Sequence, residues 1–150
     1  MRKAFTILEI IFVIVIIGIL AGIAVPRYFA LGKQSHETNL IAFVKTLNRT
    51  TGEDLWARSI SGGKNGSIVN LVPVEDGNFL KKYISIPEEI NFSSIDLSRC
   101  GDGIYKTVMT ADSEIAGEEY NITCKDGTAK TAPYFRLIRI RDNKVLVSRD

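Results

Sequence analysis

The first third of the chain carries two hydrophobic patterns, one after the other. From Ile10 to Val25 no residue is charged, and extending this segment back to Phe5 adds Glu9 as its one charge. A helix needs about 20 mostly apolar residues to cross the hydrocarbon core of a bilayer. The segment from Phe5 to Val25 is therefore just long enough to form a transmembrane helix.

A second, amphipathic pattern follows Pro26. Its apolar residues recur three and four positions apart in one stripe, which consists of Leu40, Ile41, Phe43, Val44 and Leu47. Polar residues fall between them, so the spacing predicts a helix with one face packed against a soluble domain. The stretch TGED around Gly52 fits either a weakened helix interior or a capping box that opens a new turn. We predict helix to about Ser59 with a defect near Gly52, ended by Gly62 and Gly63.

The rest of the chain predicts strands joined by turns. β-Branched and aromatic residues are concentrated in SIVNLVPV, IYKTVMT, EEYNITC and the two halves of PYFRLIRIRDNKVLVS. EDGN and KDGT predict turns, and Asp142 with Asn143 predicts the turn of a C-terminal hairpin. FLKKYISIPEEI predicts a short helical turn followed by an extended segment. The expected fold class is α+β, a long N-terminal helix packed on an antiparallel sheet of about four strands.

The charge balance gives no global indication of nucleic-acid binding. The formal net charge is +2, and it comes from Arg2 and Lys3 near the N-terminus. Without the first four residues the chain is neutral, so a nucleic acid is not an expected partner. The two basic residues before the apolar segment predict a cytoplasmic N-terminus, although Arg27 and Lys33 beyond it weaken the asymmetry.

The cysteines and the polar residues indicate a protein without catalytic chemistry. Cys100 and Cys124 can form a disulfide if the body of the protein is exported, and they are otherwise two separate thiols. Their spacing does not fit a metal site, and we expect no cofactor. The sequence shows no nucleophile–base pair, metal cluster or phosphate loop, so we expect no enzymatic activity.

Glu9 is the residue of the apolar segment that most needs an explanation, because a charge in hydrocarbon costs a few kcal/mol. The residues around it are distinctive: two basic residues, then Ala4, then FTILE, an apolar run and Pro26. This N-terminus closely resembles that of type IV prepilins and type II secretion pseudopilins over roughly the first 35 residues. The alternative is that Glu9 is simply a charge tolerated near the membrane surface.

The resemblance implies a processing site and an assembly residue. A prepilin peptidase would cut between Ala4 and Phe5 and N-methylate Phe5. The family usually has glycine at the position of Ala4; alanine is also small, so we expect cleavage to survive, and the efficiency of processing stays an open question. In this family the Glu9 carboxylate pairs with the new terminal amine of a neighbouring subunit, and a proline at position 26 kinks the helix. Such pairing makes a carboxylate tolerable in an apolar environment.

The resemblance also implies a domain order, partners and a location. The domains would be a cleaved leader (1–4), a transmembrane and assembly helix (5–25), its amphipathic continuation (26–60) and a β-rich head (61–150). The partners would be homologous pilin or pseudopilin subunits, the peptidase, an inner-membrane assembly platform, and membrane lipid before assembly. The chain would cross the bacterial inner membrane once with a periplasmic head, and then join a periplasmic or surface filament.

Two alternatives remain open. Within the family, the filament can be a type IV pilus, a type II secretion pseudopilus or a competence pseudopilus. Outside it, residues 1–24 can be an ordinary secretory signal cut after Ala24, which would leave an exported or membrane-anchored periplasmic binding protein. The apolar run is longer than a typical signal core of ~7–15 residues, which favours the first interpretation.

Several other features have a structural interpretation that we prefer to a functional one. The basic residues of the C-terminal hairpin are expected on a solvated strand face rather than against DNA: Arg136, Arg139, Arg141, Lys144 and Arg149. The acidic residues Asp112, Glu114, Glu118 and Glu119 are expected in an acidic loop rather than around calcium. His36 is expected on the solvated side of the helix and Trp56 in the core or an interface.

Two sets of short motifs add weaker hypotheses. Gly18 and Gly22 form a GxxxG that allows close helix approach. Asn-x-Ser/Thr sequons occur at Asn48, Asn65, Asn91 and Asn121. Asn91 and Asn121 also follow a glutamate two residues earlier, which some bacterial glycosylation systems require, so their glycosylation is a further hypothesis.

Overall fold

The computed structural model describes residues 6–71 and 77–148. It separates the chain into two units, Met1–Ser35 and His36–Asp150, which are described one after the other. The first helix, α1 (Ile7–Thr50), contributes residues to both units.

The described part of the first unit is helical. The helix begins after Thr6, whose carbonyl oxygen and hydroxyl group both accept hydrogen bonds from the Glu9 backbone N–H at 3.1 and 3.3 Å. This is the way in which a threonine caps a helix N-terminus. Helical structure continues through Pro26, so the proline does not end the helix.

The second unit confirms the predicted stripe of α1. Leu40, Phe43, Val44 and Leu47 are all buried. A π-helical turn, Thr51–Leu55, follows at the predicted defect, and the short helix α2 (Trp56–Ser61) continues beyond it. Gly62 caps α2 and Gly63 takes a left-handed conformation (φ +71°), which confirms the glycine stop.

The sheet of the second unit has four antiparallel strands in sequential order: β1 (Lys106–Thr110), β2 (Tyr120–Lys125), β3 (Tyr134–Arg139) and β4 (Lys144–Val147). The register shifts between Thr107 and Met109 on β1, where a bulge lies. Asn143 in the last turn has a positive φ of 52°, as the predicted hairpin requires. The predicted α+β class and number of strands are therefore confirmed.

Short helices fill the connections. They are α3 (Gly77–Leu80), two 3₁₀ turns (Phe92–Ser94 and Leu97–Arg99) and α4 (Ser113–Ala116), which joins β1 to β2. The helical turn expected in FLKKYISIPEEI corresponds to the end of α3.

Two predictions about the connections were wrong. The described part of SIVNLVPV, residues 67–71, forms turns rather than a strand, and the rest lies outside the described residues. Ile68 is fully buried there, so the apolar residues pack into the core without forming a strand. KDGT is not a tight turn, because residues 126–133 separate β2 from β3. The first half of EDGN also lies outside the described residues.

The core of the second unit lies between α1 and the sheet. Its largest fully buried apolar side chains come from both layers and from the connections: Leu40, Leu47, Leu55, Ile68, Leu80, Leu97, Met109, Tyr120, Ile122, Phe135 and Leu137. The Asn48 side-chain amide donates to the Phe135 carbonyl oxygen at 3.0 Å, and its oxygen accepts from the Phe135 N–H at 2.7 Å. These two hydrogen bonds fix α1 against β3.

Gly66→Ala is expected to destabilise the second unit by about 2–3 kcal/mol, because two costs add. Gly66 has a φ of +80°, and a Cβ there would collide with the Thr128 carbonyl group. Gly63→Ala is a matched control, since Gly63 has a φ of +71° but open space around a Cβ. It should cost only about 1 kcal/mol. Urea unfolding followed by the fluorescence of Trp56 measures both, and equal losses would show that the collision is absent.

Candidate functional site

The first unit exposes an apolar helix surface. Every residue from Thr6 to Ser35 is exposed. The large apolar side chains are more than two-fifths exposed, with Ile7 at 81% and Phe12 at 69%. Surfaces of this kind mark sites of contact with other proteins or with a membrane.

This surface belongs to the one helix among the described residues that is long and apolar enough to cross a membrane. The length and the composition of the helix are the basis for this assignment. Gly18 and Gly22 lie on it with no heavy atom near the position of an added Cβ, so both are open to the close approach of another helix.

Glu9 lies in the first turn of α1 and is exposed. It is the only acidic residue between Thr6 and Ser35. A negative charge in the first turn interacts favourably with the helix dipole. Ala4 and Phe5, the predicted processing residues, lie outside the described residues.

The second unit contains the disulfide that the sequence allowed. Cys100 and Cys124 are joined, and both are buried. Cys100 follows the 3₁₀ turn Leu97–Arg99, and Cys124 lies in β2. The Gly101 N–H also donates to the Cys124 carbonyl oxygen at 3.1 Å, so the disulfide fastens this connection to the sheet.

The prediction for His36 was wrong. Its Nδ1 atom lies 2.8 Å from Oε1 of Glu89, whose side chain is only 2% exposed. The Asn39 side-chain amide donates to the same oxygen at 3.0 Å. His36 precedes Leu40 by four residues, so it lies in line with the buried stripe, and this spacing could have indicated a buried contact.

The surroundings of Glu89 favour its ionised form. Burial opposes ionisation, but the hydrogen bonds from His36 and Asn39 together outweigh it, and the pKa of Glu89 lies below its ordinary value. The unfolded chain therefore binds a proton more readily than the folded one as the pH falls below about 4.5. It follows that acid removes stability that this carboxylate contributes at neutral pH.

Glu89→Gln is expected to lower the free energy of unfolding at pH 7 by about 1–3 kcal/mol, because a buried charge-assisted hydrogen bond is lost. It should also flatten the fall in stability between about pH 5 and pH 3. The exposed neighbour Glu88 provides the control Glu88→Gln. Urea unfolding at several pH values measures both variants. A Glu89→Gln curve parallel to that of the wild type would contradict the assignment.

A second polar network joins α1 to β3. Arg139 donates to Glu37 at 2.6 Å and to both carboxylate oxygens of Asp142, and the Tyr120 hydroxyl group donates to Glu37 at 3.0 Å. The hydrogen bond from Arg139 holds the pKa of Asp142 at about 2. Burial, and then the hydrogen bond to Glu37, raise the pKa of Tyr120 to about 12.

This network corrects the prediction of a solvated basic face. Arg139 is only 16% exposed and paired on the helix side of the sheet. Arg141 pairs with Glu118 at 2.9 Å. Arg149 lies outside the described residues. The hairpin's basic residues are therefore divided among different surroundings and do not form one continuous surface.

The acidic residues near α4 are also divided. Asp112 caps α4 by accepting from the Glu114 N–H, and Glu118 pairs with Arg141. Across the parts of the chain that the structure describes, no three His, Cys, Asp or Glu side chains are grouped as metal ligands.

The sequons lie in different settings. The Asn48 amide is engaged with Phe135, and Asn121 lies within β2. Asn91 is exposed and caps a 3₁₀ turn, and Asn65 is exposed in a left-handed conformation. The folded chain thus presents two of the four to a modifying enzyme. Glycosylation of Asn91 or Asn121 stays a prediction.

Trp56 is half-buried, and its indole N–H donates to the Thr128 carbonyl oxygen at 2.8 Å. It lines a groove of about 660 Å³ together with residues of α1, the π-helical turn and the segment before β3. The side chains that line this groove come from the second unit.

Comparison with known proteins adds one relative. The chain is similar to the type IV narrow pilus major component PilA5 of Thermus thermophilus, with 36% identity over 77 residues. The match covers 43% of this chain and 66% of that protein, just under two thirds of its length. No family model matches the chain, and no solved structure is significantly similar to it.

Proposed function

We propose that this chain is a structural subunit of a type IV pilus. Its N-terminal motif and its relative both support a place in the type IV pilin family. The helix α1, which begins within the FTILE motif and includes Glu9, is the main support for the proposal. Its first unit exposes an apolar surface with Glu9 as the one acidic group. An exposed surface of this composition needs lipid or other helices around it.

The subunit would exist in two environments. Before assembly, the apolar helix lies in the inner membrane with its N-terminus in the cytoplasm and the head in the periplasm. Prepilin peptidase cuts between Ala4 and Phe5 and methylates Phe5. An inner-membrane platform then transfers the helix from lipid into the core of a filament, which buries the same apolar surface against neighbouring subunits.

Glu9 would direct this transfer. Cleavage creates a positively charged amine at Phe5, and the carboxylate of Glu9 on an adjacent subunit neutralises it. In an apolar core each charge is costly alone and tolerable as a pair. A subunit out of register leaves both unpaired, so the pair sets the axial position of each helix. Pro26 and the glycines at 18 and 22 would adjust the helix and allow close packing.

The head would lie in an oxidising compartment, in which its disulfide can form. The disulfide between Cys100 and Cys124 fits a periplasmic or surface location, where disulfides persist. We favour a type IV pilus over a type II secretion or competence pseudopilus, because the curated relative is a component of a type IV pilus. The same relationship supports a structural role rather than an enzymatic one.

Immunogold electron microscopy of the native host tests the proposal. An antibody against the head should label filaments, along their length for a major subunit and at their tips for a minor one. Label on the periplasm or the membrane alone, with unlabelled filaments, would favour the alternative of an exported binding protein. Label on the membrane in cells that have no surface filaments, together with impaired secretion when the chain is deleted, would indicate a pseudopilus.

A further inference from the structure

The sheet has an outer face whose charge is one-sided. Tyr120 and Arg139 reach Glu37 on α1, so they mark the helix side of β2 and β3. Because side chains alternate along a strand, Thr123, Lys125 and Arg136 lie on the opposite side, which we call the outer face. Among the strand residues of the outer face, Lys125 and Arg136 are basic and none is acidic.

Arg136 is held in a defined position on the outer face. It lies opposite Thr123 in the register, and Thr123 lies opposite Thr107 on β1. The guanidinium carbon of Arg136 is 3.7 Å from the ring centroid of Tyr105, which precedes β1. The side chain therefore lies across β2 and over Thr123. Stacking on an aromatic ring fixes the plane of a guanidinium group and leaves its edge for a planar acceptor.

Two polar atoms at this position lack partners. Thr123 is only 7% exposed, and its hydroxyl oxygen makes no hydrogen bond to any described residue. The same is true of the buried Nε atom of Arg136. None of the ion pairs among the described residues includes Arg136. Both atoms are covered within the subunit, so an acceptor from outside would bind the terminal nitrogens of Arg136, whose side chain is partly exposed.

The chain itself carries a complementary surface. Glu114, on α4, and Glu119, just before β2, are both exposed, and neither takes part in the ion pairs of the described residues. Ile115 between them is 39% exposed. The outer face has a matching apolar position at Val145, which is 43% exposed and lies opposite Ile138. We call the segment 114–119 the acidic turn.

We propose that the outer face of one head binds the acidic turn of a second copy of this chain, with a carboxylate of Glu114 or Glu119 accepting from Arg136. Lys125 is exposed on the same face and completes the basic surface. This inference rests on the proposed function. The two surfaces differ, so the contact is heterologous, and repeating such a contact extends an open filament rather than closing a dimer.

Zero-length carbodiimide cross-linking of purified filaments tests the contact on the unmodified protein. The reagent joins an amine to a carboxylate only where they touch, so a peptide linking Lys125 to Glu114 or Glu119 is expected. Filaments grown from mixed light and heavy-isotope cells show whether the two ends come from different copies. The proposed contact is overturned if Lys125 is linked to another protein, or if it forms no link to the acidic turn.

Charge reversal provides an independent test. Arg136→Glu should lower the amount of the chain in filaments about tenfold, and the double variant Arg136→Glu with Glu119→Arg or Glu114→Arg should restore most of it. Lys144→Glu is the matched control, because Lys144 is an exposed basic strand residue near the turn of the hairpin. Rescue by the double variant would show that Arg136→Glu removes the contact rather than misfolding the head.

The outcomes distinguish this inference from the proposed function. Normal amounts of Arg136→Glu in filaments would overturn the contact and leave the pilin assignment intact. Failure of both reversals to rescue, with heads that melt like the wild type, would also overturn it. A wild-type chain that is absent from filaments would overturn both.

Discussion

Glu9→Ala is expected to reduce incorporation of the chain into filaments by about a hundredfold or more. In the proposed filament core the Glu9 carboxylate neutralises the terminal amine of an adjacent subunit. Removing one member of a buried ion pair costs about 3–5 kcal/mol, because the other charge is left uncompensated. Membrane insertion should survive, since the substitution makes an already apolar segment more apolar.

The measurement compares the chain in a sheared filament fraction with the chain in the membrane fraction. Glu53→Ala is the matched control, because Glu53 is an exposed glutamate in the π-helical turn of the second unit. Glu9→Gln keeps the size and removes the charge, and it should fail almost as severely as alanine. Normal incorporation of Glu9→Ala would contradict the assembly role and favour a segment used only for export.

Loss of the disulfide is expected to produce the largest change in the stability of the head. Cys100 and Cys124 are 24 residues apart, and closing a loop of this length restricts the unfolded chain enough to contribute about 3 kcal/mol. The bond also fastens the connection before β1 to the sheet, so its removal should loosen residues near Gly101 before the rest of the head.

The double variant Cys100→Ala with Cys124→Ala avoids unpaired thiols. Urea unfolding of the detergent-solubilised full chain, followed by Trp56 fluorescence, gives the free energies, since Trp56 is the only tryptophan. Wild-type protein treated with a reductant should unfold at nearly the same urea concentration as the double variant. A double variant as stable as oxidised wild type would show that the disulfide adds nothing to the folded head.

The sequence predicted the elements whose stabilising contacts are local. The stripe from Leu40 to Leu47 has a clear helical period, and the glycines at 62–63 gave a clear stop. The C-terminal hairpin was predicted because strand-forming residues flank Asp142 and Asn143. In these segments the spacing of apolar residues, turn chemistry and final structure agree.

The sequence did not predict contacts between distant segments. His36 and Glu89 are 53 positions apart, and Arg139 and Glu37 are 102 positions apart, so no local pattern joins them. Their partners depend on the register in which α1 packs on the sheet. Residues 67–71 were misassigned for a related reason: an apolar side chain such as Ile68 can fill the core from a turn as well as from a strand.

The candidate site divides in the same way. Glu9 and its surroundings could be identified from the sequence because one short motif fixes their order and spacing. The outer face could not, because Arg136, Thr123 and Tyr105 come from three segments that only the sheet register brings together. The positions that define the family are thus local, whereas those proposed to bind a neighbouring head are not.

The mass of the chain taken from purified, sheared filaments of the native host tests prepilin processing and filament assembly together. We expect a chain that begins at Phe5, carries one additional methyl group at its N-terminus and is present in the filaments. A chain that begins at Val25 and occurs only in the soluble periplasm would rule out a pilus subunit. The apolar segment would then be a signal peptide, and Glu9 would have no role in assembly.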